Sequence, residues 1–165
     1  MKIGIMGAQG AGKTTYAKKT AKMLQERFPD SNVGILHEVA RTCPFPLNGN
    51  TSVNAQMWLY HQQMVKEIEM ASTYDILVCD RTVLDTVVYA HYAGFGEFVG
   101  AYLYTALSWL DTYDFLYWMQ PAFIPVDDGF RDPDPVFQDA IDNIFSTWIN
   151  EYGINVEKAI IGLHI

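Results

Sequence analysis

The chain has 165 residues, 50% of them hydrophobic and 18% charged, which suits one globular domain over 1–165 and excludes a disordered segment. Its formal net charge is −8, which argues against wrapping duplex nucleic acid through the general surface. No stretch reaches the roughly 20 apolar residues of a membrane span. The first residues read as a strand rather than an export signal. These features point to a cytoplasmic protein with no membrane partner, in which Cys43 and Cys79 are free thiols.

An apolar run over 2–6 reads as a buried strand, followed by a glycine-rich loop over 7–12. From Lys13 to about Phe28 the spacing of Tyr16, Ala17, Ala21 and Leu24 predicts a helix. A second strand is expected over 33–37 and a proline-containing loop over 43–50. Thr51 or Ser52 can cap a long helix to about Ser72, with Val53, Met57, Tyr60, Met64, Ile68 and Ala71 as its apolar stripe. A third strand follows over 75–79, then helices from about Thr82 to Tyr92 and from about Glu97 to Leu110. A fourth strand is expected over 115–119, a long proline- and aspartate-rich loop over 121–135, a helix from Val136 to about Tyr152 and a last strand over 155–161. Apolar strands alternating with helices predict an α/β fold, a parallel sheet covered on both faces.

The segment Gly7-Ala8-Gln9-Gly10-Ala11-Gly12-Lys13-Thr14 matches G-x-x-x-x-G-K-[ST]. Glycines let successive N–H groups curl toward phosphate oxygens, and the following helix offers its positive end to the same anion. Lys13 is placed to reach the β- and γ-phosphates and the Thr14 hydroxyl to ligate Mg²⁺; Thr15 completes the nucleotide-binding segment. The pattern points to a nucleoside triphosphate, with ATP and Mg²⁺ as cofactors.

Three further clusters follow strands and therefore belong on the same edge of the sheet as this loop. They are Glu38 to Arg41 after the second strand, Asp80-Arg81-Thr82 after the third, and Asp127 to Arg131 in the late loop. Six of the eleven basic residues precede residue 28; of the remaining five, Arg41, Arg81 and Arg131 fall in these clusters. Phosphoryl transfer needs charge neutralisation and a group that orients the acceptor hydroxyl. Glu38 suits the base or a metal ligand, Asp80 a Mg²⁺-linked role, Arg81 and Arg131 the clamp on the moving phosphoryl, and Arg41 the acceptor. Blander readings stand beside these: an ion pair between Glu38 and Arg41, a helix cap at Asp80, an exposed loop charge at Arg131.

The acceptor is expected between the 51–72 and 82–92 helices and Asp80-Arg81. Met57, Trp58, Tyr60, Tyr89 and Tyr92 offer stacking surfaces or simply core packing. Gln56, Gln62 or Gln63 can read a base edge, and Asp85 can hold a sugar hydroxyl. The histidines show no metal-ligand spacing.

Residues 77–90, with Asp80-Arg81-Thr82, resemble the Asp-Arg motif of thymidylate kinases and the Glu-Arg-Ser motif of deoxynucleoside kinases. Glu38-Val39-Ala40-Arg41 and Asp127-Asp128-Gly129-Phe130-Arg131 are similar to the pattern of NadR-type small P-loop proteins, a group that includes nicotinamide riboside kinases and many phage proteins. The resemblance implies a P-loop NTPase fold with a five-stranded parallel sheet in the order 2-3-1-4-5. It also implies a lid over about 121–135 that carries Arg131. The activity it implies is phosphoryl transfer from ATP to a small-molecule nucleoside or nucleotide, with a homodimer among its assemblies. Two other functions fit the same motifs: a kinase acting on a nucleic acid end or on a modified base in DNA, and a nucleotide-binding regulatory ATPase module.

Overall fold

The computed structural model describes residues 1–121 and 134–159. Five strands, β1 (Lys2–Met6), β2 (Val33–Leu36), β3 (Ile76–Asp80), β4 (Phe115–Met119) and β5 (Glu157–Ala159), form one sheet in the order β2-β3-β1-β4-β5. Every pairing is parallel. The helices are α1 (Lys13–Arg27), α2 (Val53–Ala71), α3 (Val83–Tyr92), α4 (Gly96–Leu110) and α5 (Pro135–Glu151). The expected alternation of strand and helix and the expected strand order are both present. The late loop and Arg131 lie outside the described residues.

The pleat divides the core in two. Ile3, Ile5, Ile76 and Val78 pack with Tyr16, Ala17, Ala21 and Leu24 of α1 on one face. Met6, Leu77, Cys79, Leu116 and Trp118 pack with residues of α3, α4 and α5 on the other, where Val87, Val88, Ala106, Ile141 and Phe145 are fully enclosed. Burial on both faces explains the nearly continuous apolar sequence of β1 and β3. Both cysteines are free thiols, and among the described residues no helix is long and apolar enough to cross a membrane.

The register sets the ends of the strands level. Ile5 lies beside Asp80 and Leu36 beside Cys79. The glycine loop, Glu38 and Arg81 therefore emerge along one edge of the sheet, as their positions after the strands predict. Ser52 caps α2 by accepting from the Ala55 N–H (3.2 Å), and Thr82 opens α3 in a capping box with Asp85. Asp80 is thus the last residue of β3 and not a helix cap.

The expected stripe on α2 is incorrect. Val53, Ile68 and Ala71 are exposed, and Met57 and Met64 are only partly buried. The buried face is Ala55, Gln56, Tyr60, Gln63 and Glu67. The helix turns a largely polar face inward because Lys2, Trp109, Tyr113 and the Arg81 carbonyl supply hydrogen-bond partners for Gln63 and Glu67 there.

Gly4 of β1 is a packing requirement. A Cβ there would stand 2.9 Å from the Tyr113 ring and from Leu116 Cδ1. Gly4→Ala is expected to lower the unfolding free energy by about 1–3 kcal/mol, the usual cost of overpacking. A urea titration checks this: the midpoint should fall at constant slope, and a wild-type midpoint would show that the ring yields freely.

Candidate active site

The loop between β1 and α1 takes its shape from three glycines in the left-handed region, Gly7 (φ 141°), Gly10 (φ 73°) and Gly12 (φ 88°). A Cβ on Gly7 would also lie 2.5 Å from the Met119 carbonyl. Gly12 precedes α1 with no side chain capping it, so the first helical N–H groups face the cleft that the loop encloses. This cleft, about 50 Å³, is lined by Gly10, Gly12, Lys13, Thr14, Thr15, Glu38 and Asp80.

Lys13 is buried, and its ammonium donates to the carbonyls of Gly7 (2.7 Å) and Ala8 (2.6 Å). Burial, helped by the nearby Arg81 charge, pushes its pKa down to about 7. The Thr14 hydroxyl donates to Asp80 Oδ2 at 2.6 Å. A hydroxyl and a carboxylate at the mouth of an anion cradle make a hard oxygen donor pair. That set suits Mg²⁺, which takes one or two protein oxygens and completes its shell with phosphate and water. Among the described residues, no cluster of three or more His, Cys, Asp or Glu could hold a metal.

Beside the cleft, Arg81 occupies the centre of an ion network. Its Nε donates to Glu38 Oε1 at 2.7 Å, and its Nη1 lies 3.5 Å from Asp85 Oδ1. Its guanidinium sits 5.1 Å from the Tyr89 ring centroid. Glu38 is buried and also pairs with Arg41 Nε at 3.3 Å, so the ion-pair reading of Glu38 and Arg41 describes a contact that exists. Asp85 is buried as well. It accepts from the Thr82 N–H and hydroxyl, both at 2.9 Å, and from the Gly7 N–H at 3.3 Å. Burial raises the Asp85 pKa against the pull of Arg81 and Lys13. Its side chain thereby ties the glycine loop to the start of α3.

A second and larger cavity, about 420 Å³, opens on the other side of Glu38 and Arg81. Glu38 lines both spaces. Tyr89 and Tyr92 form part of the wall, as expected, together with Leu59, Phe95 and Phe137, which spacing alone did not single out. Tyr60 is enclosed in the core, and Met57 and Trp58 pack against the core rather than lining the cavity. Gln9 Nε2 and Gln56 Oε1, in two residues that line the cavity, are themselves enclosed and have no hydrogen-bond partner, as has Thr20 Oγ1 away from it. The rest of each amide is fixed: Tyr89 donates to Gln9 Oε1 (2.8 Å), and Gln56 Nε2 donates to Thr51 Oγ1 (2.8 Å). Gln138 of α5 holds the Gln9 carbonyl at 2.7 Å, a contact across 129 residues that no local pattern announces. Gln63 also reaches the cavity, but its Nε2 is turned to Glu67 and to the Arg81 carbonyl. Gln62 does not line the cavity, and Arg41 stands outside it, half exposed.

A family model described as an AAA domain matches residues 2–162. The chain belongs to this AAA family. No curated protein matches the sequence. Among solved structures, this AAA domain is similar to a deoxyadenosine kinase from M. mycoides with bound dATP, at a TM-score of 0.71 and 16% identity, covering 100% of this chain and 93% of that one. It is similar to the same kinase with dCMP and a flexible dCDP, at 0.67 and 14%, covering 98% and 89%. It is also similar to thymidylate kinase from Ehrlichia chaffeensis, at 0.64 and 20%, covering 100% and 90%. These likenesses identify the architecture of the AAA domain as the P-loop kinase fold.

The Glu38–Arg81 pair of this domain is largely buried, and removing one partner of such a pair leaves an uncompensated charge. Glu38→Gln is therefore expected to lower stability by about 3 kcal/mol, at the low end for a buried pair because Asp85 still faces Arg81. Chemical denaturation measures it; a loss below about 1 kcal/mol would match an exposed pair and contradict the burial.

Proposed function

We propose that this AAA domain catalyses ATP- and Mg²⁺-dependent phosphoryl transfer to a hydroxyl of a nucleoside or nucleotide. One observation carries the reading: the largely buried Glu38–Arg81 pair stands between the glycine-rich loop and an aromatic-walled cavity lined by the amide side chains of Gln9, Gln56 and Gln63. The solved deoxyadenosine and thymidylate kinases of the same fold support it.

The loop N–H groups and Lys13 bind the triphosphate. Thr14 and Asp80 would hold Mg²⁺, whose charge neutralises the β- and γ-oxygens when bound. The acceptor lies in the cavity, stacked on Tyr89, Tyr92 or Phe137, with a hydrogen-bonding edge toward the Gln56 and Gln9 side chains. Its hydroxyl oxygen attacks the γ-phosphorus as the bond to the β,γ-bridging oxygen breaks and ADP leaves. Glu38 orients the hydroxyl and accepts its proton. Even with Arg81 and Arg41 against it, a carboxylate has lone-pair sites left for that contact. Arg81 spans from Glu38 toward the loop and stabilises charge on the moving group. Arg131, which lies outside the described residues, is the second candidate for that clamp.

The direct test is ligand-dependent thermal stability followed by turnover, with Mg²⁺-ATP and a panel of nucleosides, nucleoside monophosphates, nicotinamide riboside and short oligonucleotides. A small acceptor that raises the midpoint further in the presence of an ATP analogue, and that gains phosphate, is the expected result. Slow ATP hydrolysis indifferent to every acceptor would replace the kinase reading with a regulatory ATPase. Transfer only to oligonucleotides would move the site to nucleic acid ends.

Two substitutions then separate the roles. Arg81→Lys keeps a charge but loses the planar fork, and kcat should fall by about 10³-fold, the low end of what a phosphoryl-clamping arginine contributes. Gln56→Leu should lower kcat/KM for the acceptor by about 10–100-fold, equivalent to one good base contact. Its KM for ATP should stay at the wild-type value, and an equal loss for both substrates would remove Gln56 from the acceptor site.

A further inference from the structure

A second buried polar cluster lies behind the cavity, and the chemistry proposed above makes no use of it. Glu67 of α2 has no exposed surface. Its Oε1 accepts from Gln63 Nε2 (2.9 Å) and the Tyr113 hydroxyl (2.6 Å), and its Oε2 accepts from Lys2 Nζ (3.0 Å) and Trp109 Nε1 (2.8 Å). Four donors fill the lone-pair sites of one carboxylate. The Lys2 ammonium also lies 4.3 Å from the Tyr113 ring centroid and 4.9 Å from that of Trp109. Stability alone does not account for such a cluster, because apolar replacements of buried ion pairs are often neutral or stabilising.

Gln63 shows what the cluster holds. Its Nε2 bridges Glu67 and the Arg81 carbonyl oxygen, the latter at 3.0 Å. The Arg81 N–H donates to the Ile5 carbonyl, also at 3.0 Å. Both main-chain polar groups of Arg81 are therefore tied, one to β1 and one to α2. Arg81 has a φ of 100°, a left-handed backbone that a long side chain rarely adopts and that persists only where the surroundings impose it. The direction of its side chain toward Glu38 follows from that backbone.

We propose that Glu67 and Gln63 are positioning residues for Arg81. Glu67, fixed by Lys2, Tyr113 and Trp109, orients the Gln63 amide. That amide clamps the Arg81 carbonyl, keeps the backbone left-handed and so aims the guanidinium at Glu38 and Asp85. The proposal rests on the phosphoryl-clamping role given to Arg81 above.

The test is a double-mutant cycle on the full chain with Gln63→Met and Arg81→Lys. Gln63→Met should lower kcat by about 10–100-fold, the usual effect of losing an outer partner of a reacting group, with KM for ATP and acceptor within about twofold of wild type. In the Arg81→Lys background the same substitution should change kcat by less than about twofold, because the group it positions is gone. An equal loss in both backgrounds, or a raised acceptor KM at unchanged kcat, overturns the proposal. Tyr113→Phe, which removes one donor from Glu67 and leaves Gln63 intact, should show the same signature at smaller amplitude; it carries the test if Gln63→Met does not fold. A readout independent of activity is the ¹⁵N resonance of the Arg81 Nε–H, assigned by its loss in Arg81→Lys. It should shift or broaden in Gln63→Met and Tyr113→Phe, and a resonance unchanged in both overturns the proposal. A wild-type protein inactive toward every acceptor would overturn the kinase reading alone, and the resonance would still decide the positioning role.

Discussion

A guanidinium held between two buried carboxylates, on a residue with a left-handed backbone, is the constraint on which the site depends. Arg81 joins Glu38 at the end of β2 to Asp85 in the first turn of α3. Asp85 in turn accepts from the Gly7 N–H, so the phosphate loop shares the same electrostatic network. These groups are largely out of water, where a missing partner costs far more than at the surface. The network therefore resists rearrangement, and the loop, the candidate base and the candidate clamp keep their mutual geometry. The parallel sheet makes the network possible by ending β1, β2 and β3 at one level.

The two spaces on either side of this network differ in chemistry. The loop cleft offers N–H groups, a hydroxyl, a carboxylate and a lysine whose proton affinity is lowered by burial. The larger cavity offers aromatic walls and the amide side chains of Gln9, Gln56 and Gln63. Orphan polar atoms are unfavourable in an interior, at about 1–3 kcal/mol each. Gln9 Nε2, Gln56 Oε1 and Thr20 Oγ1 are such atoms, and the first two belong to residues that line the cavity.

Helix α2 shows where reading by periodicity fails. An apolar stripe at 53, 57, 60, 64, 68 and 71 has the right spacing for a buried face, yet Val53, Ile68 and Ala71 face solvent. The polar series Gln56, Gln63 and Glu67 has equally good helical spacing and is buried. Hydrophobicity ranks a side chain by the cost of burying it alone. It takes no account of partners brought in from β1, from the connection between β3 and α3, and from the end of α4 and the residues after it. Lys2, Trp109, Tyr113 and the Arg81 carbonyl supply those partners from distant positions, and they reverse the orientation of the helix.

The amino-acid sequence by itself determined the α/β class, the places of the strands and most helix limits, and the loop from Gly7 to Thr14. It also brought Glu38, Asp80 and Arg81 to one edge. Each of these follows from local signals: apolar runs, caps, glycines that permit positive φ, and residues placed just after strands. Only the tertiary structure decided the rest. It set the left-handed backbone of Arg81, the inward polar face of α2, and the commitment of the Gln63 amide to Glu67 and Arg81. Phe95, Phe137 and Gln138 joined the site through packing of α4 and α5 against α3 and the loop. Those features arise from contacts between residues far apart in the chain. They are settled by which buried polar groups find partners once the sheet has formed, and that is a property of the assembled fold rather than of any segment.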